Sequence, residues 1–133
     1  RITQVLGLEL SLPAVGQGVI GIECREDDAA SRAALVALHH EPSFVRLKAE
    51  RAFAQTLGGS CHSPIAAHAS LDGESLVVHG FVGAPDGQEV YRDVERGSPA
   101  ETEALGRRLA ARMQAAGAGA LLDRLRDEAA AAS

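Results

Sequence analysis

Leu57-Gly58-Gly59-Ser60-Cys61-His62-Ser63-Pro64-Ile65 joins a segment of helical periodicity to one of strand character, so a cysteine sits on a glycine-lined turn. Before it, Val45, Ala49, Ala52 and Phe53 make an apolar stripe at helical spacing, and Pro42 suits the first turn of that helix. Gly58 is placed to end the helix, because glycine adopts the left-handed conformation a helix C-terminus favours. After the turn, strands are expected at 65–71, 75–83 and 88–96. Asp72-Gly73 separates the first two and Pro85-Asp86-Gly87 the last two. Connections this short favour antiparallel neighbours. Ser98-Pro99-Ala100-Glu101 then combines a capping box with proline at the first helical position. Leu105, Leu109 and Met113 recur along the helix it starts. Gly117 and Gly119 interrupt, and Leu121, Leu122 and Leu125 mark a last short helix before an alanine tail expected to fray. Residues 41–133 therefore describe an α+β domain, a three-stranded antiparallel sheet with helices on one face.

Residues 1–40 look different. Ile2, Val5 and Leu6 have helical spacing, whereas Leu8, Leu10 and Leu12 alternate with polar residues as in a short strand. Val19-Ile20-Gly21-Ile22 is a continuous apolar run of the kind buried on both faces of a sheet. Its neighbours in this chain cannot cover both faces, so its sheet is expected to be completed elsewhere. Asp27 or Asp28 can cap a following helix that carries Ser31, Ala34, Leu35 and Leu38 on one face. These pieces are expected to be strand and helix remnants of two α/β domains. The chain begins with Arg1 and is read as part of something longer.

Composition narrows the function classes. The chain has 133 residues, 46% hydrophobic and 23% charged, which is the balance of a folded globular domain. A net charge of -5 argues against general nucleic-acid binding, and 3% aromatics leave no stacking platform for single strands. No apolar run reaches bilayer-spanning length. Two cysteines, Cys24 and Cys61, do not make a disulfide scaffold. Both are expected to be reduced, in a reducing, cytoplasmic setting.

From local chemistry alone, Cys61 admits two roles. It can be an attachment or nucleophilic thiol on a shaped loop, or a small buried cysteine beyond an ordinary helix cap. A zinc site is not expected, because no CxxC or HxxxH pair accompanies Cys61-His62. A thiol redox role lacks a resolving cysteine nearby, and a non-enzymatic binding module is the other competing class. Cys24, inside the apolar run, is expected to be a core thiol.

Three separated stretches carry a resemblance. Leu57 to Ile65, preceded by Ala49-Glu50-Arg51-Ala52-Phe53, resembles the cofactor-attachment segment of the porphobilinogen deaminase (hydroxymethylbilane synthase) family. Pro13-Ala14-Val15-Gly16-Gln17-Gly18-Val19-Ile20-Gly21-Ile22-Glu23-Cys24-Arg25 is similar to a second signature of that family, and Val82-Gly83-Ala84-Pro85-Asp86-Gly87 also fits.

The resemblance implies a transferase that deaminates and joins four porphobilinogen molecules into hydroxymethylbilane, an early step of tetrapyrrole (heme and chlorophyll) biosynthesis. It implies a dipyrromethane primer on Cys61 through a thioether. Loss of ammonia from porphobilinogen leaves an electrophilic carbon, for which a thiolate is a suitable soft nucleophile. Arg51 is then a cofactor-contacting residue, consistent with the fit of a guanidinium to acetate and propionate groups, although a solvated helix charge paired with a nearby acid such as Glu50 is the other reading of it. Gln17 and Gly18 fall where the family's cleft faces the cofactor, while a simple turn before a buried strand would account for them equally. Arg25 ends the expected strand, where ligand-facing residues of open α/β sheets lie, although a structural ion pair would serve equally there. Residues 1–40 would be the end of the second domain and the crossover strand and helix of the first, with 41–133 the cofactor-attachment domain. The family's catalytic aspartate and most substrate-binding arginines belong to preceding sequence. No catalytic residue and no metal ligand is therefore expected in this chain. The expected partners are porphobilinogen, the growing polypyrrole and the preceding part of the enzyme.

Overall fold

The computed structural model describes residues 1–59 and 63–131. Four α-helices, α1 (Ala29–Leu35), α2 (Glu41–Thr56), α3 (Thr102–Met113) and α4 (Gly119–Ala131), accompany three strands, β1 (Ile65–Asp72), β2 (Ser75–Gly83) and β3 (Val90–Gly97). The strands form one antiparallel sheet in the order β1-β2-β3, with Leu71 opposite Leu76 and Gly80 opposite Asp93. Helices α2 and α3 cross one face of it, as the period-two and helical patterns require. Phe53, Leu57, Leu76, Val78, Val82, Leu105, Leu109, Met113 and Leu121 are fully buried between the layers.

Two glycines let the layers approach. A Cβ on Gly80 would lie 2.8 Å from the Phe53 ring, so the bare backbone of β2 makes room for that ring. A Cβ on Gly106 would lie 2.2 Å from the Ala49 carbonyl oxygen, so α2 and α3 touch backbone to backbone.

The sheet and helices follow the sequence with small shifts. The third strand begins at Val90, because Ala84 N–H donates to the Glu89 carbonyl at 2.8 Å and keeps residues 84–89 in the turn. Ser98 accepts from Ala100 N–H at 3.2 Å and starts a single 3₁₀ turn (Pro99–Glu101) before α3. The reciprocal half of the capping box is absent, since the Glu101 carboxylate faces Arg108 at 3.8 Å instead. Gly117, at φ 121°, turns the chain through the wide π-type turn Gln114–Ala118. Beyond it α4 runs to Ala131, longer than the short helix expected, because alanine is an intrinsically good helix former.

Residues 1–40 depart further. The expected helix over Ile2–Leu6 and strand over Leu8–Leu12 do not form; Leu10 and Ser11 N–H both bond the Gly7 carbonyl in a turn. The expected strand over 19–22 pairs with nothing among the described residues, and Ile20 is 86% exposed. A strand needs a neighbour to take its backbone groups, and none is present there among the described residues. Helix α1 forms, capped by Asp28, whose carboxylate accepts from Ser31 N–H at 3.0 Å and Ser31 Oγ–H at 2.7 Å. Those bonds hold the Asp28 carboxyl below its ordinary value. The helix buries no residue.

Asp93 and Glu95, on the helix-facing side of β3, share one cation. Arg112 Nε reaches Asp93, its Nη1 reaches Glu95 at 2.6 Å, and its Nη2 donates to the Val94 carbonyl at 2.9 Å. Hydrogen bonds from Arg112 depress both carboxyl pKa values below the ordinary 3.8 and 4.5. A depressed folded-state value contributes stability that is complete above the unfolded values and lost as pH falls through the folded ones. Replacing Arg112 with Met is therefore expected to lower the melting temperature at pH 7 and to shrink the further loss as pH falls from about 5 to about 2. Thermal melts across that range check it; parallel acid limbs for both proteins would contradict the assignment.

Candidate functional site

Helix α2 ends in a Schellman motif. Gly58 adopts φ +65°, its N–H bonds the Gln55 carbonyl at 3.0 Å, and Gly59 N–H bonds the Ala54 carbonyl at 2.8 Å. The next two carbonyls are taken by the C-terminal helices. Gln114 Nε2 donates to Thr56 O at 3.2 Å, and Arg126 Nη2 donates to Leu57 O at 2.8 Å. A Cβ on Gly59 would sit 3.0 Å from Ala54 O and 3.2 Å from Ile65 Cδ1, so a larger residue there would push the chain off the helix end by a few tenths of an ångström. On the far side, Gly83 N–H donates to the Pro64 carbonyl at 3.1 Å. Both ends of the cysteine turn are thus fastened to rigid elements. Ser60, Cys61 and His62 lie outside the described residues, and so does the expected attachment at Cys61.

Glu50, which the sequence offers only as an acid near Arg51, pairs with backbone instead. It is 7% exposed, and both carboxylate oxygens accept backbone N–H bonds at 2.8 Å, one from Gly16 and one from Ala69. The motif at 13–25 is thereby fastened to α2 and β1, while Gly83 fastens the motif at 82–87 to Pro64. Each of the other two resembling stretches is thus bonded to the stretch from Ala49 to Ile65, one at Glu50 and one at Pro64. The available signal was a carboxylate beside Ala49 and close to Ala52 and Phe53 in the core-facing stripe.

Gln17 and Gly18 line a pocket of about 110 Å³ with Ser43, Arg46, Glu50 and His68. Gly18 is at φ +81°, and Gln17 Oε1 accepts from Ala14 N–H at 3.1 Å, closing the turn. Arg46 is held by bonds to the Pro42 carbonyl (3.2 Å) and Ser43 Oγ (3.0 Å). Arg51 is exposed on α2, with no hydrogen bond or ion pair among the described residues, and does not line this pocket. Arg25 is also exposed and apart from it. Cys24 is exposed rather than a core thiol, because the strand expected to bury it finds no sheet to join among the described residues.

A larger groove of about 620 Å³ lies on the sheet face away from the helices, between Leu8 and Leu12 on one side and His79, Phe81, Arg92 and Val94 on the other. The Arg92 guanidinium stacks 4.9 Å from the Phe81 ring and donates to the Glu9 carbonyl at 2.8 Å. Burial, and then the facing His68, push the His79 imidazole below its ordinary value. Among the described residues no His, Cys, Asp and Glu side chains gather as a metal site, and no helix is long and apolar enough to cross a membrane.

Comparison with known proteins adds a family. The C-terminal domain of porphobilinogen deaminase matches residues 44–115. A porphobilinogen deaminase from Trichlorobacter lovleyi is 42% identical over 122 residues, covering 92% of this chain and 39% of that protein. One from a Synechococcus species is 42% identical over 129 residues, covering 97% of this chain and 41% of that protein. The chain spans about two-fifths of the length of these relatives.

Proposed function

The chain belongs to the porphobilinogen deaminase family, matching its C-terminal domain, and on that premise we propose that it is the arm that carries the enzyme's dipyrromethane primer on Cys61. When bound, that group supplies the two pyrrole rings to which further porphobilinogen units are added. The whole enzyme, a transferase of tetrapyrrole biosynthesis acting in the cytoplasm, then makes hydroxymethylbilane from four porphobilinogen molecules. Residues 41–133 are the attachment domain, and residues 1–40 belong with the preceding part of the enzyme.

The observation that supports this is the fastening of the cysteine turn at both ends, by the Schellman motif with Arg126 and by Pro64 with Gly83. Flanks fastened in this way suit a point of covalent attachment. The donor set suits the group. Arg51, ten residues before Cys61, has a guanidinium unpaired among the described residues and so open to an acetate or propionate. Gln17 and Gly18 offer an amide and an open backbone turn beside a small pocket, and Arg25 a further exposed cation apart from it. Porphobilinogen and the lengthening chain are the ligands.

Arg51→Leu in the full-length enzyme is the test. Losing charge-assisted bonds worth about 1.5–3 kcal/mol should slow primer assembly or elongation by about tenfold or more. The melting temperature should barely change, as for other exposed side chains without partners. Normal loading and an unaltered rate would reduce Arg51 to a solvated helix charge. A large melting loss would make it a structural ion-pair partner.

A further inference from the structure

We infer that Glu50 is a positioning residue, a buried carboxylate that holds the Gln17-Gly18 turn in register with the helix and strand flanking the cysteine turn. The inference rests on the function proposed above and deepens it.

The geometry is specific. Strand β1 is an edge strand, and Ala69 N–H donates to Glu50 Oε1 at 2.8 Å rather than to another strand. One oxygen would suffice to satisfy that edge. The second reaches Gly16 N–H, also at 2.8 Å and 34 residues earlier in the chain. Gly16 adopts φ +71°, a conformation that favours glycine, and a Cβ there would stand 3.1 Å from Leu47 Cδ1, so the turn lies close against α2. Gln17 and Gly18 follow immediately and line the pocket above Glu50.

A carboxylate taken out of water is costly unless its oxygens are bonded. Arg46, one turn earlier on α2, does not supply the bonds, being committed to Pro42 and Ser43. The two N–H groups do. Removing either segment leaves an acceptor without its donor, so Glu50 couples the position of the turn to that of the domain. Arg51, the next residue, shares the helix turn fixed in this way.

The test is Glu50→Gln in the full-length enzyme, with Glu50→Asp as a second variant. Glutamine has the same shape but keeps one acceptor oxygen, and its amide faces the other N–H donor-to-donor. Aspartate keeps the charge but is too short to reach both segments. Both variants should speed amide exchange in the peptide spanning 14–19 and raise the KM for porphobilinogen, each by about tenfold, as for a lost hydrogen bond to a charged group. The kcat and the mass of bound cofactor should stay near wild type.

Unchanged exchange, or faster exchange with unchanged KM, overturns the inference. So does a fall in melting temperature with KM untouched, which is a purely structural role. If Glu50→Gln does not fold, Glu50→Asp decides by the same readings. If the wild-type enzyme carries no adduct, the function assigned to Cys61 fails. The exchange rates then decide the latch alone, faster exchange upholding it and unchanged exchange overturning it.

Discussion

Incubated alone with porphobilinogen, the 133-residue chain is expected to consume none of it above background. The carboxylates placed near its core are committed. Glu50 gives both oxygens to backbone N–H groups, Asp93 and Glu95 share Arg112, and Glu89 pairs with Arg124. None of these is poised to exchange a proton with a pyrrole. The groove of about 620 Å³ on the outer sheet face is lined by Leu8, Leu12, Phe81 and Val94 and lies apart from Gln17 and Gly18, whose own pocket holds only about 110 Å³. A positioned acid or base contributes on the order of 10²–10⁴ in rate, so a chain without one should turn over at least about a hundredfold more slowly than the whole enzyme. Adding the separately made preceding portion of the enzyme should restore consumption of porphobilinogen. Turnover by the chain alone would place catalysis within it and refute its assignment as an attachment arm.

Gly106→Leu is expected to produce the largest loss of stability. The Cβ position already falls 2.2 Å from Ala49 O, 2.9 Å from Phe53 N and 3.1 Å from Ala52 Cβ. Backbone cannot swing aside as a side chain can, so α2 and α3 must separate and leave Phe53, Leu105 and Leu109 poorly packed. Overpacking in a filled core costs about 1–3 kcal/mol, and this one should reach or exceed the upper end. Chemical denaturation of the 133-residue chain measures it. The second consequence is functional: displacing α2 moves Arg51 and the cysteine turn together, so primer loading should fall with stability. A stability within about 0.5 kcal/mol of wild type, the range of surface substitutions, would contradict the close crossing of these helices.

The α+β domain after residue 40 was legible because its periodicities are completed within the chain. Ala49 and Phe53 are fully buried, with Val45 packed against the same core and Ala52 buried beside Gly106 of α3, and Asp72-Gly73 and Pro85-Asp86-Gly87 do separate antiparallel strands. Val19-Ile20-Gly21-Ile22 carries an equally clear strand pattern and forms none, since a pattern states which residues can be buried and not what will bury them. The role of Glu50 was invisible for the opposite reason. Its partners are backbone N–H groups, at Gly16 and Ala69, and backbone donors leave no trace in side-chain identity. Gln114 and Arg126 are of the same kind, both donating to carbonyls at the end of α2. The loop around Cys61 was recognisable by its residues, while the bonds that anchor it became apparent only in three dimensions.

Whether Cys61 bears the primer is decided by the mass of the protein. Full-length enzyme purified from cells should exceed its sequence mass by two linked pyrrole units, with the adduct on the proteolytic peptide containing Cys61. A Cys61→Ser protein should match its sequence mass. An unmodified wild-type protein, an adduct on the peptide containing Cys24, or a loaded Cys61→Ser protein would rule out Cys61 as the point of attachment.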